Sequence, residues 1–322
     1  MRAWLVTVWG VVSITAAIPS IVSAADGVRL PLASGWAIQS SAAVPAKGDA
    51  ISRAGFSTAG WQSASVPGTI VGALVEAGRV PDPYVGMNLR SFPGTTYPIG
   101  AQFANLPMPA DSPYRPSWWY RKEFELPPTA NRRWWLNFNG INFRANIWVN
   151  GVRLATKDDV AGTFRRYEFD ITPMVRRGAA NAVAVEVFAP EPRDLGITWV
   201  DWNPTPPDKN MGLWGDSYVA SSGALAVRHP HVITKLDLPS LETAHLTVTA
   251  EIWNASAQET SGTVRGTIDA IQFAKPVTLS AGEHRIVRFT PADTPQLNIP
   301  HPRVWWPYRM GEPNQYTLSI AV

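Results

Sequence analysis

Ala145-Asn146-Ile147-Trp148-Val149-Asn150-Gly151-Val152 is the stretch on which the fold turns. Ala145, Ile147 and Val149 alternate with larger or polar residues, the period-two signature of a strand with one face toward a core. Asn150-Gly151 then offers two residues that tolerate positive φ, as a two-residue hairpin requires. Upstream, Trp134-Trp135-Leu136-Asn137-Phe138-Asn139-Gly140 puts Trp134, Leu136 and Phe138 on one face and Asn137 and Asn139 on the other. Downstream, Tyr167, Phe169 and Ile171 form another inward set. Val183, Val185 and Val187 follow, with Glu186 on the solvent side. No helical stripe of any length competes; residues 68–78 hold the one plausible short helix. Short strands between turn signals predict an all-β chain, a sandwich or jelly roll.

After Asp216-Ser217-Tyr218-Val219, read as the closing strand, Ser221-Ser222-Gly223 marks a boundary near residue 225. A second strand series is expected at Val232 to Leu238, His245 to Trp253, Gly262 to Ile268, Glu283 to Thr290 and Gln315 to Val322. Leu246, Val248, Ala250 and Ile252 alternate with His245, Thr247, Thr249 and Glu251 in one of these. About a hundred residues of this kind suit an immunoglobulin-like sandwich.

The 322 residues leave room for two domains. Charged residues make up 16%, while there are 15 Trp and 29 Pro, a balance that favours extracellular β-structure. A net charge of +3 with scattered basic residues argues against nucleic-acid or membrane-surface binding. Arg2, an apolar run from Ala3 to Ile18, then Ser23-Ala24-Ala25 read as a signal peptide over residues 1–25. The expected location is therefore secreted or periplasmic, with no membrane attachment after cleavage. An uncleaved anchor is the other reading of that segment. With no cysteines, the exported chain must stand on its core alone.

The chain's densest chemistry lies in Trp199-Val200-Asp201-Trp202-Asn203-Pro204-Thr205-Pro206-Pro207-Asp208-Lys209-Asn210-Met211-Gly212-Leu213-Trp214-Gly215-Asp216. Its prolines exclude a helix interior or a central strand, so it is a long stiff loop. Indole faces beside carboxylates suit a sugar, which has C–H faces and a rim of hydroxyls. The competing reading folds these aromatics onto one another as a satellite core. Elsewhere, Asp158-Asp159 reads as surface charge in a turn. His229-Pro230-His231 has two imidazoles but no cysteine or carboxylate cluster beside them, so no metal is expected. Asn254-Ala255-Ser256 is a formal glycosylation sequon.

The order of these pieces resembles the N-terminal region of glycoside hydrolase family 2, in its exo-β-D-glucosaminidase and β-mannosidase subgroup. The resemblance is carried by Trp61 to Thr69 ("W…VPGT"), Pro81-Asp82-Pro83-Tyr84-Val85-Gly86-Met87-Asn88 and Trp119 to Phe124. Phe138-Asn139-Gly140-Ile141 with Val149-Asn150-Gly151, the aromatic loop, and Val304-Trp305-Trp306-Pro307 through Tyr316 complete it. It implies a galactose-binding-like jelly roll over 26–225 and an immunoglobulin-like β-sandwich over 226–322. It also implies hydrolysis of O-glycosyl bonds on a barrel beyond these residues.

A retaining glycosidase needs two carboxyl groups roughly 5–5.5 Å apart. The family's acid/base glutamate follows an asparagine, and this chain has no Asn-Glu dipeptide. The expectation is a non-catalytic front portion, inactive alone, with no catalytic residue and no cofactor of its own. Its partners would be carbohydrate, β-linked glucosamine or mannose ends, and a separately encoded catalytic barrel. A freestanding carbohydrate-binding protein is the alternative.

By the resemblance, Asp201, Trp202 and Asn203 are the substrate-binding residues. Asp201 would accept from hydroxyls or pair with an amine, Trp202 would stack, and Asn203 would both donate and accept. Otherwise Asp201 caps its own loop and Trp202 fills a gap against Trp199 or Trp214. Asn210 to Trp214 is expected to anchor the loop and the barrel interface, with direct sugar contact as the other reading. Asp194, Asp208 and Asp216, considered as catalytic partners of Asp201, read as solvated carboxylates. Trp305-Trp306 is expected in core or interdomain packing.

Overall fold

Strand Arg144–Val149 buries Ala145, Ile147 and Val149 completely, and the chain reverses at Asn150-Gly151, both at positive φ, into strand Val152–Ala155. Its other neighbour is Ala180–Phe188, whose Val183, Val185 and Val187 stand opposite Val149, Ile147 and Ala145. The computed structural model describes residues 22–24, 27–93, 95, 107–129, 132–197 and 206–322. Among these, one sheet runs in the order Gln62–Ala64, Trp36–Ser40, Trp118–Glu125, Ala180–Phe188, Arg144–Val149, Val152–Ala155. A facing sheet runs Val22–Ala24, Gly27–Pro31, Ser217–Ser222, Arg133–Phe138, Tyr167–Asp170. Ser217–Ser222 is thus the closing strand, slotted between Gly27–Pro31 and Arg133–Phe138. Val22–Ala24 lies before the expected cleavage point, so cleavage there would remove this edge strand.

Trp134, Leu136 and Phe138 point into the core as the alternation requires. The opposite face is not wet. Asn137 is buried with its Nδ2 donating to the Trp135 carbonyl (3.1 Å), and Trp135 is buried too. The reason is tertiary: Trp253 of the second sandwich packs on Trp135 with ring centroids 4.7 Å apart, and His284 stacks on Trp253. Arg228 lies over the same indole and pairs with Glu168 across the junction (2.6 Å).

The other sheet is also covered outside. Helix Gly48–Ile51 sits on Trp119, Trp148 and Ala184, held by buried Arg121 donating to the carbonyls of Ile51 (2.9 Å) and Arg53 (2.8 Å). The expected short helix is Ile70–Glu76, capped by Thr69, whose side chain accepts from the Gly72 amide.

Beyond Ser222, Leu225–Leu236, Thr243–Asn254 and His284–Phe289 form a sheet with Asn298–Pro300 added to it. It faces Ile271–Leu279, Thr260–Ile268 and Leu318–Ala321. Leu246, Val248, Ala250 and Ile252 fill the space between, with Phe273, Val277 and Leu279. Strand Ile271–Leu279, which contains Pro276, is not among the expected strands. The proline is tolerated because this is an edge strand, paired on one side only.

Asn254 of the sequon is fully buried, and its amide donates to the carbonyls of Gln258, Leu279 and Ser280. It is a structural knot with no free nitrogen to glycosylate. His229, at positive φ, lies inside a register shift between Arg228 and His231 in strand Leu225–Leu236. Among the described residues no cluster of His, Asp or Glu could hold a metal, and no helix is long and apolar enough to cross a membrane.

Candidate functional site

The second half of the aromatic loop is sewn into the first sandwich. Met211 and Leu213 are fully buried, and their carbonyls accept from the amides of Ile70 (2.9 Å) and Gly68 (2.8 Å) at the start of helix Ile70–Glu76. Gly212 exchanges two backbone hydrogen bonds with Asn142, each 2.9 Å. A Cβ on Gly212 would stand 2.5 Å from the Gly68 carbonyl oxygen and 2.8 Å from the Tyr120 hydroxyl, so only glycine fits there. The Trp214 indole N–H donates to the Thr163 carbonyl (3.0 Å), and its ring lies against Gly140, where a Cβ would meet it at 2.7 Å. These contacts describe the loop-anchoring part of the role expected of Asn210 to Trp214.

Asp208 corrects the expectation of a solvated carboxylate. It is 1% exposed; its Oδ2 accepts from the Val71 amide (2.8 Å) and its Oδ1 from the Asn210 amide (2.9 Å). Burial pushes its carboxyl up to about 6, against the pull of those N–H groups toward the anion. The same burial, with the Asp208 charge added, lifts the Tyr114 phenol to about 12 and holds Tyr120 protonated. Lys209 and Asn210 follow at φ of 55° and 56°, a left-handed turn that non-glycine residues adopt at a cost. Asp194 is also engaged: it forms a bidentate pair with Arg144 (2.7 Å for Nη2–Oδ1) and accepts from the Glu191 amide (2.9 Å). Asp216 is exposed, as expected. Asp159 accepts from the Thr156 amide (2.9 Å) and hydroxyl (2.8 Å), which fixes the turn in which it sits.

In front of this anchor opens a cleft of about 720 Å³, enough for a sugar unit or two. One wall is Pro206, Pro207, Asp208 and Asn210; the floor is Thr69, Val71, Gly72 and Val75; the far wall runs from Asp82 to Arg90. The far wall is fixed by Asp82, whose Oδ1 accepts from the Tyr84 amide (2.9 Å) and whose carbonyl accepts from Asn88 Nδ2 (3.0 Å). Tyr84 is 93% exposed, and Asp82 and Arg90 are exposed beside it. A lip with a bare phenol ring, a carboxylate and a guanidinium can meet a ligand that has both an apolar face and polar substituents. Asp208, with both oxygens engaged by amides, serves to hold the wall.

Asp201, Trp202 and Asn203 lie outside the described residues; in sequence they come before the Pro206-Pro207 wall, with Pro204 and Thr205 between. The sequence reading missed the far wall as a binding element. Its signal was present, because Pro81-Asp82-Pro83-Tyr84 combines proline, carboxylate and aromatic ring just as the aromatic loop does.

The family model described as glycosyl hydrolase 2 galactose-binding domain-like matches residues 111–194, and that of glycosyl hydrolases family 2 matches 225–322. Among characterised proteins, an exo-β-D-glucosaminidase of Streptomyces avermitilis is 38% identical over 94% of this chain and 31% of its own length. A mannosylglycoprotein endo-β-mannosidase of Lilium longiflorum is 26% identical over 82% of this chain and 29% of its own. The crystal structure of the Amycolatopsis orientalis exo-chitosanase CsxA superposes with a TM-score of 0.76 at 35% identity, over 91% of this chain and 32% of that one. The chain therefore spans about a third of the length of the relatives it matches.

Proposed function

Because the chain belongs to glycoside hydrolase family 2, we propose that these residues form the sugar-recognising, non-catalytic N-terminal part of an exo-acting glycosidase. Its substrates would be β-linked glucosamine ends, as the name of the Streptomyces relative suggests, with mannose ends as the weaker fit. The observation that carries this is the cleft between the aromatic loop and the Asp82–Arg90 wall, next in sequence to Asp201-Trp202-Asn203. Asp201 pairs with the sugar's amine or hydroxyls, Trp202 stacks on its face, and Asn203 bonds its rim. Bond cleavage falls to a barrel outside these residues. Residues 1–25 act as an export leader; 26–225 and 226–322 fold as the jelly roll and the immunoglobulin-like sandwich.

The test is a titration of the purified chain with chitosan oligomers and with manno-oligosaccharides, beside an assay on PNP-β-D-glucosamine. Chitosan oligomers should bind more tightly, Asp201→Ala should weaken that binding about tenfold or more, and no nitrophenol should be released. Turnover by the chain alone, or binding indifferent to Asp201, overturns the reading.

A further inference from the structure

We propose that Asn142, backed by Thr163, is a positioning residue that latches both stems of the aromatic loop and so sets the wall of the cleft. This rests on the sugar-binding reading of that cleft. Asn142 is fully buried and lies outside the cleft, so it touches no ligand. Its Nδ2 donates to two carbonyls, those of Lys209 (2.9 Å) and Asn210 (2.8 Å). Its Oδ1 accepts from the Thr163 hydroxyl (2.7 Å). These two carbonyls belong to the left-handed pair at positive φ, the residues least able to hold their conformation unaided. The outgoing stem is thus fixed at the turn that follows Pro206, Pro207 and Asp208, which line the cleft together with Asn210.

The incoming stem meets the same group. The Thr163 hydroxyl lies 3.4 Å from the Leu195 carbonyl, and a Cβ on Gly196 would stand 3.4 Å from Asn142 Oδ1. A Cβ there would be in van der Waals contact with the latch and would crowd the Pro190 ring, at 3.1 Å. The neighbouring Arg144–Asp194 pair fixes the approach to that stem. A carboxamide is the one side chain of this shape with two N–H donors for two carbonyls and an acceptor for a hydroxyl. A carboxylate would aim an oxygen at both carbonyls instead.

Three variants test this by calorimetric titration with chitosan oligomers, with the melting temperature of each measured alongside. Asn142→Asp should weaken binding at least about tenfold, and Thr163→Val by roughly threefold to tenfold. Thr163→Ser keeps the hydroxyl and should bind within about twofold of wild type, even where its melting temperature falls as far as that of Thr163→Val. That rescue is what a merely structural role would not produce. Hydrogen exchange over residues 206–212 should speed up in Asn142→Asp and Thr163→Val and stay unchanged in Thr163→Ser. If exchange there is the same in all three, or if Thr163→Ser binds as poorly as Thr163→Val, the latch is refuted. If wild type binds no oligosaccharide, the sugar reading falls, and the exchange pattern alone decides the latch.

Discussion

The dipeptide Met-Gly occurs in both tryptophan- and proline-rich loops, as Met211-Gly212 and as Met310-Gly311, with opposite fates. Met211 is fully buried and Gly212 is wedged between the backbone of Gly68 and the Tyr120 hydroxyl. Met310 is 66% exposed, and a Cβ on Gly311 would meet the Trp306 side chain first, at 2.6 Å, rather than backbone. Trp214 donates its indole N–H into the sandwich, whereas Trp305 is 55% exposed and lies outside any core of the described residues. Proline stiffens both loops alike. The first finds waiting partners, the helix start at Thr69–Val71 and the Asn142 carboxamide. The second is fastened chiefly to itself, through the Trp305–Pro313 bridge and the Trp306 amide on the Glu312 carbonyl (3.1 Å). Stiffness is a local property; burial needs a second surface.

This contrast can be broken by paired substitutions. Met211→Ala should destabilise by about 2–5 kcal/mol in denaturant unfolding, while Met310→Ala should change stability by less than about 0.5 kcal/mol. Equal effects would show that the second loop is as deeply held as the first. Gly212→Ala should cost roughly 3 kcal/mol, since its neighbours are backbone atoms that cannot swing aside. Gly311→Ala should cost less than Gly212→Ala, because its nearest neighbours are all atoms of the half-exposed Trp306 side chain rather than packed backbone.

A finer probe is Asp208, whose carboxyl rises from an ordinary value near 4 to about 6 on folding. Between those values the folded chain binds more proton than the unfolded one, so this group favours folding more as the pH is lowered from 6 to 4. Wild type should therefore gain about 2–3 kcal/mol relative to Asp208→Asn across that window. A constant difference between the two proteins would mean that Asp208 is solvated after all. Smallest of all, Trp305→Ala should move the melting temperature by no more than about 2 °C.

Much of the strand content could be read from side chains alone. Ala145, Ile147 and Val149, or Leu246 through Ile252, announce their inner face because alternation is imposed by the backbone of the strand itself. Strand Ile271–Leu279 is harder to read, because a strand holding Pro276 is tolerated on an edge, and edges are defined by which strands arrive elsewhere. The burial of Asn137 could not be read locally, because nothing near it in sequence reveals that Trp253 will cover the neighbouring Trp135. At the site, the anchoring half of the aromatic loop was legible from its glycines and prolines. The cleft was not, because its two walls are more than a hundred residues apart in sequence.

The sequence by itself determined the all-β character, the Asn150-Gly151 reversal and the stiffness of both proline-rich loops, since φ restriction and side-chain alternation act between neighbours. Tertiary structure alone decided which loop is buried, why Asp208 keeps its proton to about pH 6, and where a ligand-sized opening forms. Desolvation and enclosure depend on distant segments meeting, and no residue carries that information in its own neighbourhood.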